Sequence, residues 1–89
     1  MKLDYRKTFQ KDLLRIKDYT LLQRLKEIIL AAEQAQQPGD IPHLKKLTPS
    51  KDAYRIRVGD YRIGITISSD TITFVRFLHR KEIYRHFPL

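Results

Sequence analysis

Between Tyr54 and Ile67 apolar and polar residues alternate with period two, the pattern of a half-buried strand pair. Gly59-Asp60 interrupts the alternation and reads as a two-residue turn with glycine first, which suits the twist of a tight hairpin. That turn sets Val58 across from Tyr61, Arg57 across from Arg62, Ile56 across from Ile63 and Arg55 across from Gly64. One face then carries Tyr54, Ile56, Val58, Tyr61, Ile63, Ile65 and Ile67. The other carries Arg55, Arg57 and Arg62. Like charges directly opposed on a strand pair cost about 0.2–1 kcal/mol. The fold gains nothing from opposing Arg57 to Arg62, so an anion outside the chain is the simplest beneficiary.

Upstream, the period changes to that of helices. Leu3 and Tyr5 open the chain as a short strand. Thr8 is positioned to cap a first helix, and Phe9, Leu13 and Ile16 form its apolar stripe with Leu14 beside them. Asp18-Tyr19-Thr20 breaks the pattern, and Thr20 can cap a second helix. Leu21, Leu22, Leu25, Ile28, Ile29 and Ala32 make a broader stripe that ends before Pro38-Gly39. So short a connection makes the two helices an antiparallel pair.

Residues 38–52 hold Pro38, Gly39, Pro42 and Pro49 and read as one irregular connection. Leu44 and Leu47 pin it to the core, and Lys45 and Lys46 face water. Three strands follow, at about 53–58, 61–67 and 71–78. The register of the last depends on its loop around Ser68-Ser69-Asp70. Four loop residues would put Arg76 beside Ile63 on the apolar face. Three or five would put it beside Arg62 and send Val75 and Phe77 into the core. A lone buried guanidinium costs several kcal/mol, which favours the second register and brings Arg80 toward the other arginines. Residues from His79 onward form a short helix or a tail. The expected architecture is α+β: an N-terminal strand, a two-helix hairpin packed on an antiparallel sheet of three to four strands, and the short C-terminal element. It fills one domain, 1–89, with no repeat or linker.

Composition sharpens the chemistry. Eighteen Lys and Arg against ten Asp and Glu give 89 residues a net charge of +8, so a polyanion is the expected partner and nucleic acid its commonest form. The same charge would also serve solubility. Cysteine is absent, which excludes a disulfide scaffold, a thiolate metal site and a cysteine nucleophile. The three histidines are scattered and the aspartates form no cluster, so no metal and no cofactor is expected. No apolar run approaches the ~18 residues that span a bilayer. No membrane association and a cytoplasmic location are the expectation.

Two stretches carry a resemblance that covers nearly the whole chain. Tyr54-Arg55-Ile56-Arg57-Val58-Gly59-Asp60-Tyr61-Arg62-Ile63 resembles the hairpin of the RelE/ParE superfamily of toxins. Phe77-Leu78-His79-Arg80-Lys81-Glu82-Ile83-Tyr84 is similar to that superfamily's ending, and Phe9-Gln10-Lys11-Asp12-Leu13 to its first helix. The resemblance implies a type II toxin held inactive by a small antitoxin protein. The apolar surface that such a partner would cover is the one through which the antitoxin-free chain would self-associate. In the RelE-like branch it implies a ribosome-dependent messenger-RNA endoribonuclease. In the ParE-like branch it implies a poison of DNA gyrase. A third reading is an RNA- or ribosome-binding module without cleavage. RelE-like toxins carry two basic residues on the first hairpin strand, matched by Arg55 and Arg57. An arginine on the second is matched by Arg62, one ending the third by Arg80, and a tyrosine near the C-terminus by Tyr84. The best-known pattern has lysines at the first two positions and a longer interval between the last two.

Metal-free RNA cleavage uses the ribose 2′-hydroxyl as nucleophile on the adjacent phosphate. Cationic donors aimed at the phosphate oxygens supply the charge stabilisation, and a guanidinium can hold two oxygens at once. The expected catalytic set is Arg57, Arg62, Arg80 and Tyr84, with Arg55, Lys45, Lys46 and Arg76 as RNA contacts. A solvated strand face would also account for Arg55 and Arg57, and an aromatic plug for Tyr84. Arginine is a poor base near neutral pH. His79 and His86 are therefore the candidates for proton transfer, while His43 carries no special signal.

Overall fold

The computed structural model describes residues 1–88. Its elements, in chain order, are β1 (Lys2–Tyr5), α1 (Lys7–Leu14), α2 (Tyr19–Gln34), a 3-10 turn (Pro38–Asp40), β2 (Leu44–Lys46), β3 (Ala53–Val58), β4 (Tyr61–Ser68), β5 (Thr71–His79) and α3 (Ile83–His86). The strands form one five-stranded sheet in the order β1-β5-β4-β3-β2. The α+β architecture is as expected, but the sheet is wider than three or four strands. Leu44–Lys46, expected to be irregular, adds antiparallel to β3. β1 pairs parallel to β5 and closes the opposite side.

The first hairpin has the register that the alternation implies, with Arg57 across from Arg62 and Ile56 across from Ile63. Of its two turn residues only Gly59 has a positive φ, 58°, as a glycine-first hairpin turn requires. Neither helix starts at its expected cap. Residue Arg6 occupies the N-cap of α1, and the Thr8 hydroxyl instead donates to the Val75 carbonyl at 2.6 Å, tying α1 to β5. Asp18 rather than Thr20 caps α2, its carboxylate accepting from the Leu21 N–H.

The main core lies between the helices and one face of the sheet. Phe9, Leu21, Leu25, Ile28 and Ala32 from the helices meet Ile56, Val58, Ile63, Ile65, Ile72, Phe74 and Phe77 from the strands. Phe9 packs at 5.3 Å, centroid to centroid, from Phe74, and Tyr61 at 5.2 Å from Phe77. Burying such a ring is worth about 1.5–3 kcal/mol, so this aromatic row is a main anchor of α1 on β5. Leu14, counted beside the stripe, is 84 % exposed.

The β4–β5 hairpin corrects the expected register. Its loop is two residues, Ser69-Asp70, between Ser68 and Thr71. Unbroken pairing from there would place Arg76 beside Ile63. A β-bulge prevents it: Ile65 pairs with Phe74 but Gly64 pairs with Arg76, leaving Val75 as the extra residue. Phe74 and Phe77, three apart, thereby both enter the core. Val75 turns to the other face instead of joining them, and Leu78, not Arg76, lies across from Arg62.

That other face has a small core of its own. Ile83 and Phe87 dock with Ala53, and Leu47, Val75 and Leu78 pack around them. The C-terminal segment thus lies on the face that carries the arginines. Gly64 makes room for it: a Cβ at residue 64 would stand 2.6 Å from Cδ2 of Phe87. Among the described residues, no helix is long and apolar enough to cross a membrane.

Candidate functional site

Strand register alone assembles the basic face. Arg57 and Arg62 are directly opposed, and Arg55 stands across from Gly64. Lys45 pairs with Arg55 from β2 and so shares its face. Lys46, across from Tyr54, belongs to the opposite side. There its ammonium lies over the Tyr54 ring, 5.7 Å from the centroid, and donates to the Lys51 carbonyl. Arg80 follows the end of β5, and its N–H donates to the Asp60 carbonyl at 2.8 Å. The Arg80 backbone is thus fixed to the turn between Arg57 and Arg62.

Two of the arginines, Arg62 and Arg55, are held by backbone carbonyls, not by carboxylates. Nη1 of Arg62 donates to the carbonyls of Gly59 and Tyr61, both at 2.9 Å, folding the half-buried side chain over its own turn. Arg55 Nη1 donates to the His43 carbonyl at 2.8 Å. The ion pairs among the described residues are Lys2–Asp70, Asp12–Arg76 and Glu82–Arg85. None involves Arg55, Arg57, Arg62 or Arg80. These guanidiniums keep their charge unneutralised and free to meet an external anion.

Arg76 is differently employed. Its Nε and Nη2 donate to the two carboxylate oxygens of Asp12 at 2.8 and 3.1 Å. Asp12 is 4 % exposed and also accepts the N–H of Phe77 at 2.9 Å. The pair satisfies an edge N–H that β1, ending at Tyr5 across from Phe74, does not reach. Arg76 therefore leaves the expected RNA-facing set and fastens α1 to the bulged stretch of β5.

The histidines separate. His79 lies across from Tyr61 and makes an edge-on ring contact with it at 5.6 Å, on the helix-facing side of the sheet and away from the arginines. Its Nδ1 accepts from the N–H of Lys81. His86 is exposed on α3. Tyr84, on the same short helix, is 57 % exposed. The aromatic plug of this segment is Phe87, which sequence reasoning missed, and Tyr84 is left free of that duty. His43 was missed as well. Its backbone is left-handed, with φ 61°, and it lines a cavity with Arg57. Nothing in its local sequence signals this, because the conformation follows from how its carbonyl meets β3.

A basic strand face whose arginines have no carboxylate partner among the described residues, with an exposed tyrosine on the helix packed against it, can hold a phosphodiester and withdraw charge from it. Comparison with known proteins bears on this arrangement. Residues 3–84 match the family described as ParE toxin of type II toxin-antitoxin system, parDE. The chain is 44 % identical over 89 residues to Toxin RelE3 of Methanocaldococcus jannaschii, covering 99 % of this chain and 100 % of the relative. It superposes with a TM-score of 0.81 and 41 % identity on a chain of the RelB-RelE antitoxin-toxin complex from Methanococcus jannaschii, covering 96 % of this chain and 99 % of that one. The archaeal RelE-RelB complex from Pyrococcus horikoshii OT3 shares the fold, with a TM-score of 0.73, 22 % identity and coverage of 92 % and 97 %.

Proposed function

This chain belongs to the RelE/ParE family of type II toxins, and on that premise we propose that it is a metal-independent endoribonuclease that cuts messenger RNA on the ribosome. The observation that carries the proposal is the pairing of Arg57 with Arg62 on a face where neither has a carboxylate partner among the described residues. In the proposed reaction the ribose 2′-oxygen attacks the adjacent phosphorus as its proton is removed. The 5′-oxygen leaves and takes up a proton, giving a 2′,3′-cyclic phosphate and a 5′-hydroxyl. Arg62 and Arg57 hold the phosphate oxygens as their charge grows. Tethering Arg62 through Nη1 to its own turn reduces the reorganisation needed at that moment. Arg80 holds a neighbouring phosphate, Arg55 and Lys45 extend the RNA track, and Tyr84 stacks on a base or moves a proton. His86 shares the short helix α3 with Tyr84 and is the histidine assigned to proton transfer.

The same reading includes a small antitoxin as partner. The RelE chains of the two archaeal structures are complexed with RelB. Here an acidic segment would neutralise the arginine face, and exposed Leu14, Tyr19 and Leu30 on the helical side would be covered.

Gyrase poisoning is the second reading, because the matching family description is that of a ParE toxin. Induced expression with mapping of messenger-RNA 5′ ends separates the two. New 5′-hydroxyl ends within translated regions, absent with Arg62→Ala, support the nuclease. Intact transcripts with early DNA breaks support the gyrase reading. Ribosome binding without new ends leaves a binding module.

A further inference from the structure

Beyond the outer end of β2, α2 and the edge of β3 enclose a cavity of about 310 Å³ lined by Arg24, Glu27, Ile28, Pro42, His43, Arg57, Val58 and Gly59. Ile28 and Val58 are buried and form its floor, while Arg24, His43 and Arg57 are exposed at its rim. Arg24 reaches from α2 to the hairpin turn, with Nη1 3.4 Å from where a Cβ at residue 59 would stand. Neither Arg24 nor Arg57 is in an ion pair among the described residues. The one carboxylate of the lining is Glu27.

His43 enters this cavity at a conformational cost. Its φ of 61° is a left-handed backbone that a non-glycine residue adopts reluctantly. Two acceptor contacts of its carbonyl hold it there, from Arg55 Nη1 at 2.8 Å and from the Arg57 N–H at 3.4 Å. Strain of this kind collects where a binding site needs it. Arg57 belongs both to this cavity and to the arginine face, so the two form one positive track around the end of β3.

We infer that Arg24, His43 and Arg57 form a second flanking-phosphate site on the β3 side of the sheet, which binds the backbone phosphate next to the one held by Arg57 and Arg62, on the other side from the phosphate assigned to Arg80. This rests on the RNA reading of the arginine face. A polyanion with regularly repeated charges suits a track whose two halves share one guanidinium. An acidic peptide is the competing occupant.

The test uses the full chain and a short single-stranded RNA carrying 2′-O-methyl groups, which binds without being cut, followed by fluorescence anisotropy over a range of salt. Arg24→Ala weakens binding about fivefold and makes the log–log salt slope shallower by about 0.7, the share of one phosphate contact on a single strand. Glu27→Gln tightens binding about twofold by removing the opposing charge. His43→Gly keeps the left-handed backbone and the carbonyl acceptor, so weaker binding there reports the ring alone. Circular dichroism and the urea midpoint establish that each variant is folded. Wild-type affinity and slope in folded Arg24→Ala, with binding lost in Arg62→Ala, overturn the second site and leave the nuclease reading standing. Wild-type RNA affinity in Arg24→Ala with lost binding of a glutamate-rich peptide gives the cavity to a protein partner and also overturns it. No RNA binding by the wild-type chain at low salt removes both readings.

Discussion

The ring of Phe87 occupies the space that a side chain at Gly64 would fill, with Cδ2 2.6 Å from the Cβ position. A glycine in mid-strand weakens a sheet, and close approach of another group is a usual reason for one. Here it lets α3 settle on the arginine face and carry Tyr84 with it. Gly64→Ala is expected to cost about 1–3 kcal/mol, the range for overpacking, and to loosen the C-terminal segment. Phe87→Ala is expected to cost about 3 kcal/mol, the lower end for losing a buried phenylalanine. The double variant should cost less than the sum, because the clash disappears with the ring. Urea unfolding of the four proteins measures this, and strict additivity would show that the contact is not the reason for the glycine.

Arg62 is bound to its turn as well as aimed at the anion. Arg62→Ala removes two hydrogen bonds to backbone carbonyls and also relieves repulsion with Arg57. Each neutral-acceptor bond is worth about 0.5–1.5 kcal/mol, more where a charge is involved, and the relief is worth about 0.2–1 kcal/mol. The expected net loss is therefore at most about 3 kcal/mol, with RNA cleavage abolished. A collapsed thermal transition would make Arg62 chiefly structural, and full toxicity in cells would remove it from the site.

Asp12 and Arg76 are expected to matter for folding rather than chemistry. Breaking a buried pair leaves one charge unsatisfied and costs about 3–5 kcal/mol, a large share of the roughly 5–15 kcal/mol that stabilises a domain. Asp12→Ala should lie in that range, since it also orphans the Phe77 N–H. Arg76→Ala should cost less, because Asp12 still accepts from Phe77. Chemical denaturation of both variants checks the order, and RNA affinity in folded Arg76→Ala should stay near that of the wild-type chain.

Tyr5 gives the stability profile an alkaline limb. Burial, and secondarily the Glu33 carboxylate, raise its phenol above the ordinary value of 10.0. The folded state therefore keeps the proton after the unfolded chain has lost it. The associated stability is intact below pH 10 and falls as pH rises through the folded pKa. Tyr5→Phe should flatten this limb in urea titrations between neutral and strongly alkaline pH, and an unchanged limb would assign it to other groups.

Local patterns carried much of the fold. Alternation and a glycine-first turn are short-range signals, so the Arg57–Arg62 register followed from the sequence. Helical stripes placed both helices for the same reason. The caps were less legible, because Thr8 had a tertiary alternative in the Val75 carbonyl that no local rule reveals. β2 was hidden too: three residues among prolines become a strand only when the edge of β3 is there to pair with.

The bulge at Val75 shows where sequence reasoning stops. Loop parity was the right question for Arg76, but one extra strand residue shifts the parity as effectively as one extra loop residue, and the two are indistinguishable in sequence. What decides is Asp12, sixty-four residues away in the chain, whose carboxylate offers Arg76 and the Phe77 N–H a common partner. By itself the sequence determined that a strand pair would present Arg55, Arg57 and Arg62 together, because side-chain direction along a strand is fixed by covalent geometry. Only the tertiary structure decided that Arg76 turns away from them, that Phe87 rather than Tyr84 plugs the C-terminal segment, and that Arg24 and His43 meet Arg57, because those outcomes depend on long-range packing.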